Sequence, residues 1–468
     1  MTGYFYDCRV RDDVVQVRRR TGPEQLQISF KRTVRVPDNS GTSQLPPDLG
    51  NFPLYKVQTY ANSLPPEMVA KGGVFLPMYQ REAMWINFTA NSPFAIKVYV
   101  GCVNAISGEP AAGSASAKQR RALLVSQGEP IQDYMVVPGQ SWLDGIASSN
   151  GIVKQFVATP LGEGYTVEAQ ITGHEENGGL QIEITPAVVS PAGSTRVRVE
   201  ICTGQKFEFC VPADAKVIYL QQMIHGISGI PIEDQIFVCC GQKMPLFERI
   251  ADWVADWCGT EPLPIYLLQE QRGGGWTEAP PAKPETKEMG IAAGGSIKQV
   301  IVRDIWPAGT WHKTATIAFN VQILNASAFE EVTGFPALKT PVTMETYAEL
   351  GLPFFKLYEE PSNVHGSFNK VKSIGEMDGV EDPNFAVPTK NINDDPSGAR
   401  SAPQPAVQVK DGNDEDISNP AGALREFRHV SEIEQELRAM NINASDLNKA
   451  CWSPKEGEEL ADGHLFSF

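Results

Sequence analysis

Apolar and polar residues alternate through much of the N-terminal part of the chain. Between Leu26 and Val36, apolar side chains fall on alternate positions, with Gln27, Ser29 and Lys31 between them. A period of two is typical of a strand that buries one face. Similar runs predict strands at 95–100, 134–137, 153–157, 165–171 and 180–184. Because these short strands alternate with Gly/Pro turns, residues 1–193 are predicted to form a β-sandwich or jelly-roll-like domain.

Apolar runs return after a polar, proline-rich linker at 276–288. They predict strands at 297–302 and 316–324 and a helix at 344–350. Residues 289–375 would then be a β-rich domain that completes the first domain or packs on it. The glycine-rich run from Gly290 to Ser296 lacks the lysine and helix start of a phosphate-binding P-loop, so it predicts a tight loop.

The C-terminal part is different in character. Residues 376–425 are acidic, polar and rich in Pro, Asn and Gly, a composition that predicts a disordered tail. Residues 426–468 contain one amphipathic helix. Ser431 and Glu434 have the spacing of a capping box, and Ile433, Leu437 and Met440 share one face. This helix could dock on its own chain or on a neighbouring copy, and the sequence leaves both open.

Composition and charge narrow the class of protein. The 468 residues suggest about three domains. A formal net charge of -16 disfavours nucleic acid as a partner, because phosphate backbones are repelled. There is neither an apolar run long enough for a membrane span nor an N-terminal secretory signal, which predicts a cytoplasmic protein. Eight cysteines form no Cys-x-x-Cys pair, so no metal site and no cofactor are predicted.

Residues 194–275 resemble ubiquitin. Two strands at 197–201 and 207–209 flank Thr203-Gly204-Gln205, which corresponds to ubiquitin's first hairpin turn. A helix start at Pro212-Ala213-Asp214, a strand at 235–241 and a last strand at 263–268 follow in the family's order. The resemblance implies a β-grasp fold, an α+β domain between the β-sandwich domains. The expected fold class is therefore mostly β, with this one α+β insertion.

The resemblance also implies two kinds of functional residue. Ubiquitin binds partners through an apolar patch, and the matching positions in this chain are Cys202, Val238 and Leu268. Arg272, Gly273 and Gly274 match the family's diglycine tail, which would imply conjugation. Gly275 follows directly and nearly two hundred residues come after it, so a flexible exit from the last strand is the other interpretation.

Segments outside the ubiquitin-like region resemble a second group of proteins. They include 74–85, 142–146, 155–162, 164–168 and 289–295. They are similar to an uncharacterised family of fungal and bacterial proteins with a central ubiquitin-like segment, some labelled "integral membrane protein". The resemblance implies no activity, and the hydropathy of this chain disagrees with that label.

No catalytic signature is complete, so the chain is expected not to be an enzyme. We predict a non-enzymatic scaffold or structural protein that assembles with copies of itself through the ubiquitin-like module and the C-terminal helix. A protein partner bound at the ubiquitin-like patch is also expected. The alternative is a carbohydrate-binding or carbohydrate-active jelly roll that stacks sugars on Trp85, Trp142, Trp306 and Trp311. A third interpretation is a modifier precursor processed after Gly274.

Overall fold

The computed structural model describes residues 5–113, 115–149, 151–188, 194–201, 206–212, 215–228, 235–239, 242–255, 262–268, 287–336, 339–356, 362–366, 368, 370–391 and 416–439. The strands in chain order are β1 (Tyr6–Arg11), β2 (Val14–Arg19), β3 (Gln25–Thr33), β4 (Thr42–Ser43), β5 (Tyr55–Lys56), β6 (Val74–Met78), β7 (Ala83–Ala90), β8 (Phe94–Val100), β9 (Val103–Asn104), β10 (Met135–Val137), β11 (Trp142–Leu143), β12 (Gly145–Ser149), β13 (Ile152–Pro160), β14 (Leu180–Pro186), β15 (Ser194–Ile201), β16 (Lys206–Pro212), β17 (Ile236–Cys239), β18 (Gln242–Lys243), β19 (Leu263–Leu268), β20 (Glu288–Lys298), β21 (Ile317–Asn325), β22 (Phe354–Lys356) and β23 (Thr389–Asn391). The α-helices are α1 (Pro66–Lys71), α2 (Ala115–Gln127), α3 (Val167–Thr172), α4 (Val217–Ser228), α5 (Ile250–Ala255), α6 (Phe329–Thr333), α7 (Met344–Glu349), α8 (Ile374–Asp378) and α9 (Val430–Ala439). The protein is therefore mostly β, as predicted.

The largest sheet folds over a single apolar core. One layer has the order β1-β2-β3-β7-β13-β20, and the other contains β6, β21, β14, β8 and β10. The layers join where β20 pairs with β21, at Met289 opposite Ile323. Buried side chains from both layers, such as Phe30 and Phe156 from the first and Phe319 from the second, belong to the same cluster. Two layers around a shared core form a β-sandwich. Strands β20 and β21 are part of its two layers, so the chain after the β-grasp module completes the sandwich.

Most of the predicted strands are present with small shifts of boundary. Strand β3 alternates as expected, with Leu26 and Ile28 fully buried and Gln27 half-buried between them. Strands β8, β10, β13, β14 and β21 overlap the predicted runs, and α7 covers the predicted helix near Met344. The pattern therefore located β3, whose two faces differ in burial, and also β8, β10, β14 and β21, which are buried on both faces.

The prediction of a strand at 165–171 was wrong. Residues Val167–Thr172 form α3, whose N-cap Thr166 accepts a hydrogen bond from the backbone N–H of Ala169. The helix ends at Gly173, with φ of 82°. Glu168 is buried and accepts hydrogen bonds from the backbone N–H groups of Glu176, Asn177 and Gly178. The N-cap and the hydrogen bonds to the Glu168 carboxylate stabilise the helix more than the weak alternating pattern favours a strand.

The tight loop predicted at Gly290–Ser296 is instead the middle of strand β20. It is buried and pairs with β13 along most of its length. A Cβ atom on Gly294 would lie 2.6 Å from Cγ2 of Val157, and one on Gly295 would lie 2.2 Å from the carbonyl oxygen of Pro37. The glycines are therefore required by close packing of neighbouring chain segments, not by a turn. The predicted strand at 297–302 overlaps only the end of β20.

Two parts of the predicted disordered tail are folded against the sandwich, so the prediction was wrong for 376–391 and 416–425. Strand β23 pairs in parallel with β22. Ile417 is 5% exposed and donates its backbone N–H to the carbonyl of Cys8. Leu424 donates its backbone N–H to Glu183. Composition could not predict this, because the polar segments find partners only on an already formed sheet. Residues 392–415 lie outside the described part of the chain.

Residues 194–268 contain a separate five-stranded sheet with the order β16-β15-β19-β17-β18. The central strands β15 and β19 are parallel, with Val199 opposite Ile265, whereas β15 pairs antiparallel with β16. Helix α4 covers one face through Leu220 and Ile224, which share the module's own core. This order, with the first and last strands parallel at the centre and one helix across them, is that of a ubiquitin-like β-grasp. We call these residues the β-grasp module.

Candidate interaction surfaces

The β-grasp sheet has one covered face and one open face. Alternation along β17 and β19 buries Phe237, Ile265 and Leu267 under α4. The intervening residues point the other way: Ile236 is 40% exposed and Tyr266 is 49% exposed. In the register of the two strands, Tyr266 lies opposite Val238, and Leu268 lies opposite Ile236. These neighbours form a continuous apolar strip, which we call the open-face patch, defined by Ile236, Val238 and Tyr266.

Charged pairs border the open-face patch on the neighbouring strands. Arg198 on β15 bonds to Glu208 on β16 at 2.9 Å, and Lys206 lies 3.2 Å from Glu200. Exposed pairs of this kind add little to stability. Their arrangement matters more, because an apolar centre with a charged rim is the usual composition of a protein-binding surface.

The module contacts the sandwich through its helical side. Helix α4 packs against β7, and the ring of Tyr219 lies over Gly139 in the turn that follows β10. A Cβ atom on Gly139 would come 2.8 Å from Cε2 of Tyr219, so this contact needs a glycine. Burial raises the pKa of the Tyr219 hydroxyl well above its ordinary value. Because α4 faces the sandwich, the open-face patch is on the opposite side of the module.

Of the residues predicted from the ubiquitin resemblance, the structure describes the side chain of Val238 alone. Val238 lies on the outer face of β17 and is half-buried. Leu268 ends β19, but its side chain is outside the described residues, as are Cys202 and the tail residues Arg272, Gly273 and Gly274. The positions that dominate the open face are Ile236 and Tyr266, which the sequence comparison missed. The period-two pattern of β17 and β19 could have identified them, because it places Ile236 and Tyr266 on the face of the sheet that does not carry the core residues.

The C-terminal helix α9 docks on its own chain. Ile433 and Leu437 are 6% and 5% exposed and pack against Ala122 and Ile131, beside α2. Lys313 and Lys118 of the body reach Glu432 and Glu436 of the helix at 2.6 and 2.8 Å. Met440 lies outside the described residues. The helix begins at Val430, one residue before the predicted cap Ser431, and Glu432 accepts the backbone N–H of His429.

A buried charge network lies beneath this C-terminal segment. Asp133 bonds to Lys97 at 3.1 Å and to Arg121 at 2.9 Å, and Arg121 also bonds to Glu109 at 2.6 Å. Burial would raise the pKa of Asp133, but the Lys97 and Arg121 cations outweigh it and hold that pKa below its ordinary value. Burial raises the pKa of the nearby Glu183. The network joins β8, α2 and the chain before β10, so its first role is structural.

The sugar-stacking platform predicted for the carbohydrate alternative is not formed by the predicted tryptophans. Trp85, Trp142, Trp306 and Trp311 are 3%, 8%, 3% and 4% exposed. Their rings pack inside the protein, where they cannot stack on a ligand in solvent. Within the described residues, no group of His, Cys, Asp and Glu side chains has the geometry of a metal site. Nor does any described helix combine the length and the apolar character that crossing a membrane requires.

Comparison with known proteins adds structural similarity over a small part of the chain. No family model matches the chain. No curated protein matches it either. A solved structure, "NMR solution structure of ubl5 domain from polyubiquitin locus of T.thermophila", is similar at 24% identity, covering 16% of this chain and 90% of that one with a TM-score of 0.15. At these values the match carries no functional statement, and the ubiquitin-like fold of residues 194–268 rests on their strand order and register.

Proposed function

We propose that this protein is a non-enzymatic scaffold that associates with other copies of itself through the open-face patch of its β-grasp module. The observation that carries the proposal is the exposure of Ile236 and Tyr266 at diagonal positions of neighbouring strands, on the face opposite α4. Contiguous apolar surface of this kind is characteristic of interaction sites. We further propose that the protein is cytoplasmic.

The chemistry of the patch favours a protein as the partner. Tyrosine provides a large contact area with few rotatable bonds and is enriched among the residues that dominate binding energy. The charged pairs on β15 and β16 would form the polar rim and set the orientation of the partner.

A second copy is the simplest partner, because one self-complementary patch can close a two-fold dimer without any further surface. The sequence predicted that helix α9 also joins the copies, and the proposal does not assign it that role. Its apolar residues Ile433 and Leu437 are occupied within the chain, so association through α9 would require it to leave that position. The β-grasp patch needs no such rearrangement.

The test is light scattering after size-exclusion chromatography, applied to the full chain over a range of concentrations. We expect a mass above the 51.2 kDa of one chain, rising with concentration. Tyr266→Asp should raise the dissociation constant at least tenfold, because it places a charge at the centre of the apolar contact. Leu350→Asp is the matched control, since Leu350 is 52% exposed and lies outside the module.

Each result has a definite meaning. Loss of the oligomer in Tyr266→Asp with retention in Leu350→Asp supports the proposal. A monomer at every concentration contradicts self-association. An oligomer that survives Tyr266→Asp shows that another surface holds the copies together. Circular dichroism of each variant would establish that the module is still folded.

A further inference from the structure

A cavity of about 320 Å³ is lined by residues of the sandwich and its C-terminal segments and by none of the β-grasp module. Its floor is formed where β3 ends and β7 begins, at Thr33 and Ala83. Its walls come from two later segments of the chain. The apolar lining residues are Pro37, Pro341, Val342, Met344, Pro383 and Phe385. A concave site of this volume with mostly apolar walls and a few charged groups has the character of a small-molecule pocket.

Arg35 is the first charged group of this cavity, and its hydrogen bonds are incomplete. Its guanidinium lies 3.5 Å from Asp382 and 3.7 Å from Asp38, longer than a charge-assisted hydrogen bond. Its Nε atom is buried and has no hydrogen-bond partner among the described residues. An unsatisfied buried donor is destabilising, which marks this guanidinium as incompletely paired. Nε itself is shielded from solvent, so a ligand oxygen in the cavity would bond to the terminal nitrogens of this guanidinium, whose side chain is 21% exposed.

Arg81 is the second charged group of this cavity. Its backbone has φ of 65°, a left-handed conformation that non-glycine residues rarely adopt. This turn holds the guanidinium at the cavity, where it pairs with Asp378 at 2.8 Å and stays 48% exposed. Strained residues of this kind are concentrated at functional sites. Two guanidinium groups therefore border the same apolar cavity.

The carboxylates around the cavity restrict the charge of the ligand. Glu82 is fully buried and already paired with Arg32 at 2.7 Å, so it is not free to bind a cation. Asp382 and Glu345 also line the cavity and would repel a doubly charged phosphate more than a singly charged group. A planar carboxylate matches the guanidinium fork and could replace the long contact between Arg35 and Asp382.

We propose that this cavity binds a small monocarboxylate with an apolar body. The carboxylate accepts hydrogen bonds from Arg35, with Arg81 adding a second positive charge. The apolar body packs against Val342, Met344 and Phe385. This site is independent of the association proposed for the β-grasp module.

The test is a titration of the full chain with 3-phenylpropionate, followed by NMR of ¹³C-labelled methionine methyl groups. Met344 lines the cavity and would be assigned through Met344→Leu, whereas Met68 and Met223 belong to other apolar clusters. We expect a saturable shift of the Met344 signal with the other two unmoved. The neutral amide, 3-phenylpropanamide, and inorganic phosphate should bind at least tenfold more weakly.

Variants of the two arginines make the test specific. Arg35→Met should weaken binding of 3-phenylpropionate at least tenfold. Because it also removes the long ion pairs to Asp38 and Asp382, urea unfolding is used to establish that the variant is folded. Arg81→Met, at an exposed position, is the second variant if the first does not fold. Arg438→Met is the control, because Arg438 is 69% exposed on α9. Absence of saturation, equal binding of the amide or phosphate, or unchanged affinity in the folded arginine variants would each overturn the proposal.

Discussion

The buried charge network gives a prediction whose size follows from its burial. Asp133 has a side chain 7% exposed and lies between Lys97, also 7% exposed, and Arg121. Asp133→Asn keeps the shape of the side chain but removes its charge. Lys97 then loses the carboxylate to which it is hydrogen-bonded and keeps the electrostatic influence of Glu183. Breaking a buried pair costs about 3–5 kcal/mol. We therefore expect the free energy of unfolding to fall by about that amount at neutral pH.

The assay is urea unfolding, with the midpoint compared at unchanged slope. Asp7→Asn is the matched control, because Asp7 also contacts two arginines, Arg9 and Arg20, but is 25% exposed. Exposed pairs contribute about 0–1 kcal/mol. A loss below about 1 kcal/mol for Asp133→Asn, equal to that of Asp7→Asn, would refute the reasoning.

The difference in stability between the wild-type chain and Asp133→Asn should also depend on pH. The pKa of Asp133 is lower in the folded chain than its ordinary 3.8. The stability that its charge contributes is therefore complete above the unfolded pKa and is lost as pH falls through the folded pKa. The gap between the wild-type chain and Asp133→Asn should be constant near neutral pH and close below about pH 3.8. A gap that stays the same in acid would contradict this assignment.

Two further predictions concern the packing of β20 and the docking of α9. Gly294→Ala should destabilise the chain by about 1–3 kcal/mol, because its new methyl group would lie 2.6 Å from Cγ2 of Val157. Gly309→Ala is the control, since a Cβ atom there would have nothing within 4 Å. Equal urea midpoints for the two variants would disprove the packing argument. Leu437→Ala should cost about 2–5 kcal/mol of local stability and increase hydrogen exchange in 430–439, since Leu437 is 5% exposed against α2. The exposed Arg438→Ala should leave exchange unchanged, and protection that survives Leu437→Ala would show that the ion pairs alone hold the helix.

Several elements could be predicted from local pattern because local physics determines them. Strands such as β3 and β14 alternate or run apolar between turns, and this pattern survives in any fold that buries one or both faces. The ubiquitin-like fold of residues 194–268 was indicated differently, by resemblance to a known family in the order of its strands, helix and turns. The helix α3 was missed because six residues give too little period to separate a helix from a strand.

The functional surfaces depended on more than local pattern. Exposure of Ile236 and Tyr266 is decided by which side of the β-grasp module faces the sandwich, and α4 takes that role. Burial of Ile433 and Leu437 is decided by the presence of α2 on the same chain.

The sequence by itself determined that the chain is mostly β, that residues 194–268 form a β-grasp, and that α9 is amphipathic. The mostly-β class and the amphipathic helix follow from periodicity and spacing, which act over a few residues, whereas the β-grasp was recognised by resemblance to ubiquitin. Only the tertiary structure decided that Gly294 lies in a buried strand, that Arg35 and Arg81 border one cavity, and that 416–425 folds back on the sandwich. Each of these joins residues far apart in the chain, and such contacts depend on how the layers pack rather than on any local preference.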